Sequence, residues 1–198
     1  MARTAATGRV AMRGYGDKSL QFDGANDWVD FGTTNFNFER TDSFSVSILA
    51  NPAGGTANHV IFGRAAGTAD FRGWWIRYEV STSSYNVFLS NDFGGANYLW
   101  KRAVGKARKR IWTRFGFTYD GTSDAAGLIL YIDGEAVSTT ILSNTLSATM
   151  VTAGINARMG VITNDSLDFT GNLTDAAVYS RVLTAQEMRD IHFSGIYP

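Results

Sequence analysis

The chain has 198 residues, 44% hydrophobic and 13% aromatic, with 18 Lys and Arg balanced by 18 Asp and Glu. That length and apolar fraction suit one undivided all-β domain with a full core. Zero net charge leaves no whole-molecule field to draw nucleic acid or membrane, and absent cysteines exclude disulfides and thiolate metal sites.

Residues 1–18 are small, polar, basic and dotted with glycine, with Arg3, Arg9, Arg13 and Lys18 but no apolar run. They read as an extended assembly arm, distinct from the domain at 19–198. Arms of this kind gain order by lying along a neighbouring subunit. The segment is no signal peptide, and no stretch is apolar enough to span a bilayer, so a protein made and kept in a host cytoplasm, or in an assembled particle, is expected.

From Leu20 onward strand signals recur about every eight to twelve residues, the spacing of a sandwich. Ser19 to Gly24 and Trp28 to Gly32 form a strand pair broken by a Gly/Asn/Asp turn. Phe44 to Ile48 alternates strictly, followed by Val60–Phe62, Gly73–Val80, Tyr85–Ser90, Tyr98–Val104, Ile111–Tyr119 and Gly127–Ile132. Asp133-Gly134 is a two-residue hairpin signal returning through Ala136-Val137. Ile155–Val161 and Leu173–Tyr179 complete about a dozen strands, and Thr184 with Glu187 forms a capping box for one short helix. Met188 and Ile191 of that helix are expected to face the sandwich. The fold class is therefore all-β: a two-sheet antiparallel jelly-roll sandwich with one short C-terminal helix.

Four stretches, in this order and spacing, resemble the laminin-G-like group of the concanavalin A-like lectin/glucanase superfamily. They are Leu20 to Gly24; Trp112 with Phe115 to Gly121; Leu130 to Gly134; and Gly171 to Asp175 with Val178 to Arg181 and the helix start. The likeness runs from Ser19 to about Tyr197. It implies the sandwich, but not an activity, since this fold hosts lectins, glycosidases, lyases, adhesion modules and virion proteins.

The resemblance also implies a structural Ca²⁺ where the first and last strands meet, held by Asp23, Asp175 and Asn26, or Asp27. The usual acidic pair is reduced here to Thr174-Asp175, and calcium needs six to eight oxygens. The alternative is that Asp23 opens an Asx turn and Asp175 bonds backbone amides.

Catalysis is poorly provided for. Glycosidases need two carboxylates roughly 5–10 Å apart, and those of this fold resemble one another in a Glu-x-Asp-x-(x)-Glu strand motif that none of Glu39, Glu79, Glu135 and Glu187 begins. His59 stands beside no lyase-like cluster, so no catalytic residue is assigned.

Binding has more support. By alternation Trp74, Ile76, Tyr78 and Val80 point inward, and Trp75, Arg77 and Glu79 outward. Asn86 and Phe88 follow outward on the next strand, with Arg114 and Tyr131 beside them. Trp75, Phe88 and Tyr131 among Arg77, Glu79, Asn86 and Arg114 read as one face for a glycan, whose C–H groups stack on rings, for a protein, whose interfaces are enriched in aromatics and arginine, or as a face covered by the chain's own loops.

Lys101, Arg102, Lys106, Arg108, Lys109 and Arg110 place six cations in ten positions, read as a hairpin tip and its flanks. It suits an acidic protein surface better than nucleic acid, because few aromatics interleave with it.

The function expected is a non-catalytic structural or adhesion protein. The first reading is a phage-type virion component, such as a head decoration, tail or fibre subunit. It would assemble with itself or other virion proteins and meet a cell-surface glycan. The second is a carbohydrate-binding, lectin-like module of a bacterial protein.

Overall fold

The computed structural model describes residues 3–4, 19–54, 58–68, 70–162 and 167–194. Fourteen strands are present among them: β1 Arg3–Thr4, β2 Leu20–Asp23, β3 Val29–Asp30, β4 Phe44–Pro52, β5 His59–Ala65, β6 Gly73–Glu79 and β7 Ser84–Asp92 lead the chain. They are followed by β8 Asn97–Ala103, β9 Thr113–Tyr119, β10 Leu128–Ile132, β11 Glu135–Ala136, β12 Thr140–Asn144, β13 Arg158–Met159 and β14 Thr170–Tyr179, with helix α1 at Ala185–Ser194. One sheet runs β1-β3-β13-β5-β6-β7-β8-β12 and the other β11-β10-β9-β4-β14-β2, the two-layer jelly roll expected. Pairing is antiparallel except for β1 beside β3.

The two terminal signatures meet. Leu20 to Asp23 pair with Leu173 to Thr170 at the edge of the six-stranded sheet. Alternation then builds the core between the sheets. Phe62, Trp74, Ile76, Tyr78, Val87 and Leu89 project from the larger sheet onto Phe44, Val46, Phe115, Phe117 and Leu130 of the smaller. Burying each such side chain is worth about 1.5–3 kcal/mol. Trp74 also donates its indole N–H to the Phe36 carbonyl at 2.9 Å, so the ring is satisfied as well as buried.

The penultimate strand is shorter than expected, and the last, β14, starts three residues earlier than expected. Only Arg158–Met159 pair within 155–161, whereas β12, with no sharp turn signal before it, was not anticipated. Asp133 and Gly134 take φ of 51° and 82°, the conformation of the tight hairpin joining β10 to β11. In the arm, Arg3 lies in β1, pairing in parallel with β3, while Arg9 and Arg13 lie outside the described residues.

The helix forms as the capping box requires. Glu187 donates its N–H to the Thr184 hydroxyl at 3.2 Å, and the Thr184 N–H reaches the Glu187 carboxylate at 2.8 Å. Met188 and Ile191 pack on Tyr131, Leu183 and Tyr179 across the outside of the smaller sheet. Gly116 permits this approach, since a Cβ there would lie 2.4 Å from the Met188 methyl. No helix among the described residues is long and apolar enough to cross a membrane.

Candidate functional site

The outer face of the larger sheet carries two cross-strand rows. Register aligns Trp75, Phe88 and Trp100 in one, and Arg77, Asn86 and Arg102 in the next, on β6, β7 and β8. Neighbours in such rows touch because side chains on one face stand about 5 Å apart. Trp75 stacks on Phe88 at 4.5 Å with 5° between the planes, and Phe88 on Trp100 at 5.0 Å and 29°. Phe71, Phe93, Ile162 and Leu167 close over the Trp75 end, leaving Trp100 half-buried at the open end.

The polar row is tied to the aromatic one. Trp100 Nε1 donates to Asn86 Oδ1 at 2.8 Å and Arg102 Nε donates to the same oxygen at 3.0 Å, while the Asn86 amide donates to Glu79 at 3.3 Å and Ser84 at 3.1 Å. Arg102 pairs with Glu79 at 2.7 Å, whereas Arg77 stays 3.8 Å from that carboxylate. The Arg77 guanidinium lies 4.7 Å over Phe88 and 5.7 Å from Trp100, and the Arg102 guanidinium lies 5.2 Å from Trp100. Burial pulls Arg77 below the ordinary arginine range; Glu79 opposes this and Arg102 adds to it. The cluster therefore offers one accessible indole, two guanidiniums and one carboxylate already bridged by Arg102. It has no second acid to complete a general acid–base pair.

The residues read from sequence as one face divide between two. Trp75 and Phe88 point outward as expected but are 4% and 0% exposed, because Phe71, Phe93, Ile162 and Leu167 pack against them. Asn86 is fully buried beneath Trp100 and Arg102. Arg114 and Tyr131 belong to β9 and β10 in the opposite sheet, under helix α1. There Arg114 donates to Asp175 and, at 3.2 Å, to Ser47, a structural ion pair with only 2% of the arginine side chain exposed. His59 is buried too, its Nδ1 2.6 Å from the Asp168 carbonyl and its ring stacked on Tyr78.

The basic run also divides. Lys101 points into the sandwich edge, where Nζ donates to the Leu128 carbonyl at 2.5 Å, and Arg102 joins the outer cluster. Only Lys106, Arg108, Lys109 and Arg110 form an exposed basic loop. Trp100, which completes the site, stood in the sequence as the border of that run; its alternation with Arg102 on β8 is the signal that places it.

The expected calcium ligands are not brought together. Asp23 pairs across from Thr170, five residues along β14 from Asp175, and its carboxylate accepts the Ala25 N–H at 2.7 Å as an Asx turn. Asn26 adopts φ 61° in the same turn, and Asp175 is held by Arg114. Residues so separated and engaged do not fit a shared Ca²⁺ site. Among the described residues no three His, Cys, Asp or Glu side chains cluster to hold a metal.

Comparison with known families settles the lineage of this scaffold. The Laminin_G_3 family, described as concanavalin A-like lectin/glucanases superfamily, matches residues 23–189. The chain belongs to that family. Solved structures of similar fold include a heptameric SAP-like pentraxin from Limulus polyphemus, with 14% identity, TM-score 0.63 and coverage of 88% of this chain and 81% of that one. The CBM40 of Ruminococcus gnavus IT-sialidase matches with 14% identity, TM-score 0.65 and coverage of 88% and 96%; that module is also known bound to α2,3-sialyllactose. Streptococcus pneumoniae NanB sialidase matches with 14% identity and TM-score 0.65 over 86% of this chain but 27% of that enzyme. At these identities the likeness is one of fold. No curated protein matches the chain. The family thus supplies a lectin-type sandwich, and the Trp100 cluster is what this sequence builds on it.

Proposed function

We propose that this Laminin_G_3 chain is a non-catalytic carbohydrate-binding module that takes a glycan on the outer face of its larger sheet. The observation that carries the reading is the Trp100 indole, half-buried and held by Asn86, with Arg77 and Arg102 flanking it. A sugar ring stacks its C–H face on such an indole while its hydroxyls meet planar, fixed donors. Because Trp100 is already immobilised, little side-chain entropy remains to be lost on binding. The fold neighbours include a CBM40 module known bound to sialyllactose, which supports this reading. They lend nothing to a virion role, and no described feature is specific to one.

A glycan array followed by titration calorimetry tests the proposal. Binding of at least one glycan, weakened about tenfold or more in Trp100→Ala, is expected from loss of a stacking contact worth ~1.5 kcal/mol or more. Full affinity in a folded Trp100→Ala variant would move the site elsewhere.

A further inference from the structure

The charge at this face is unbalanced. Two guanidiniums share one carboxylate, and Glu79 is spent on Arg102 at 2.7 Å while Arg77 stands 3.8 Å away. Arg77 Nε is buried with no hydrogen-bond partner, although arginine carries five N–H donors in a fixed fork. Stacked against Phe88 and Trp100, Arg77 is held in position by the rings, so its donors are preorganised. A buried cation with unused donors is stabilised by an incoming anion more than by a neutral hydroxyl.

The surplus continues into the adjacent loop. Lys106, Arg108, Lys109 and Arg110 add four exposed cations there, and no acid lies between Ala103 and Trp112. Two residues beyond Arg102 the loop begins. It is pinned by buried Ala107, whose N–H donates to Ser83 O at 3.0 Å, and by Arg110, whose N–H donates to Pro52 O at 2.7 Å. Lys106, Arg108, Lys109 and Arg110 project from that fixed backbone, and none forms an ion pair with a described residue. Ser83 lies in the β6–β7 turn, so the loop borders the end of the sheet where Glu79 and Arg102 stand.

Resting on the glycan reading, we infer that the face selects an anionic glycan: Arg77 and Arg102 hold the carboxylate or sulfate of one sugar unit beside Trp100, and the 106–110 loop meets further charges along an acidic chain. Planar fork geometry makes arginine suited to either oxyanion, and the exposed loop adds a longer-range, salt-screened attraction.

Titration of the full chain with three oligosaccharides of equal length, an oligogalacturonate, a sulfated heparin fragment and a neutral cello-oligomer, at low and moderate salt, tests this. At least one acidic ligand is expected to bind about tenfold or more tightly than the neutral one, since a charged hydrogen bond outweighs a neutral one by that order. Binding of the oligogalacturonate shows that a carboxylate suffices, and binding of the heparin fragment alone, which carries carboxylates as well as sulfates, points to sulfate as the group read. Arg77→Gln should erase the preference, and the exposed pair Lys106→Ala/Arg108→Ala should flatten the salt dependence without altering the fold. Equal binding of neutral and acidic ligands would overturn the inference while leaving the glycan reading intact. Failure of every glycan on the array and in titration would refute that reading and this inference with it. Binding of a single-stranded DNA oligomer as tightly as the acidic sugar at the same salt would also overturn it, by showing charge without sugar recognition.

Discussion

Trp75 is the residue on which an exposed and a covered face predict opposite behaviour. It points away from the main core, yet is 4% exposed, stacked on Phe88 and enclosed by Phe71, Phe93 and Leu167. Replacing a buried Trp by Ala costs about 3–5 kcal/mol, through lost burial and the cavity left behind. The lower end applies here, because the covering segments are loops that can settle into part of the space. For a domain of this size each kcal/mol lowers the melting temperature by about 2–4 °C, so Trp75→Ala should melt roughly 6–12 °C below the parent. Scanning calorimetry of both proteins reads this directly. Trp100→Ala, which removes a half-exposed ring at the open end of the same stack, should lower the melt by less than half as much. A Trp75→Ala protein melting within 2 °C of the parent, but with lost ligand binding, would refute the covered stack and restore Trp75 to the surface.

Asp175→Asn keeps a residue that tolerates the φ of 49° there but leaves the Arg114 guanidinium unpaired in a nearly closed site; chemical denaturation should show a loss of about 2 kcal/mol. EDTA should leave the melting temperature unchanged in both parent and Asp175→Asn proteins, and a metal-dependent shift would reopen the calcium question. Met188→Ala should release α1 at a cost of about 2–3 kcal/mol, measured by denaturation and seen as faster amide exchange in the helix. Glu187 is held down at about 2 by hydrogen bonds from Arg181 and the Thr184 backbone. A lowered folded-state value makes this stabilisation complete above the usual 4.5 and lost as pH falls toward 2. Glu187→Gln should therefore narrow its stability deficit against the parent as an acid titration proceeds through that window.

Much of the scaffold was legible in the residues, for local reasons. The Asp133-Gly134 hairpin and the Thr184–Glu187 cap each depend on turn or cap chemistry within a few positions, whereas the β2–β14 pairing joins opposite ends of the chain and was readable only through the family resemblance. Inside–outside alternation on β6, β7 and β9 was also readable, because a period of two needs no tertiary information. What alternation lacks is the identity of the sheet. Arg114 and Tyr131 carry the same outward sign as Trp75 and Arg77, yet β9 and β10 lie in the other layer. Coverage was hidden because alternation says nothing about loops: Phe71 and Phe93 flank β6 and β7, Leu167 lies far along the chain, and only folding lays them over the Trp75 face. The basic run misled because strand and loop cations look alike in sequence, so Lys101, Arg102 and the exposed 106–110 cluster formed one block.

The central claim is that ligand meets the Trp100 end of the larger sheet, and indole N–H resonances of the ¹⁵N-labelled chain during glycan titration test it most directly. The Trp100 signal, held by Asn86, should shift with ligand and vanish in Trp100→Ala, while buried Trp74, bonded to Phe36, stays fixed. A bound glycan that leaves the Trp100 resonance unmoved and perturbs signals of the smaller sheet or helix α1 would contradict the account.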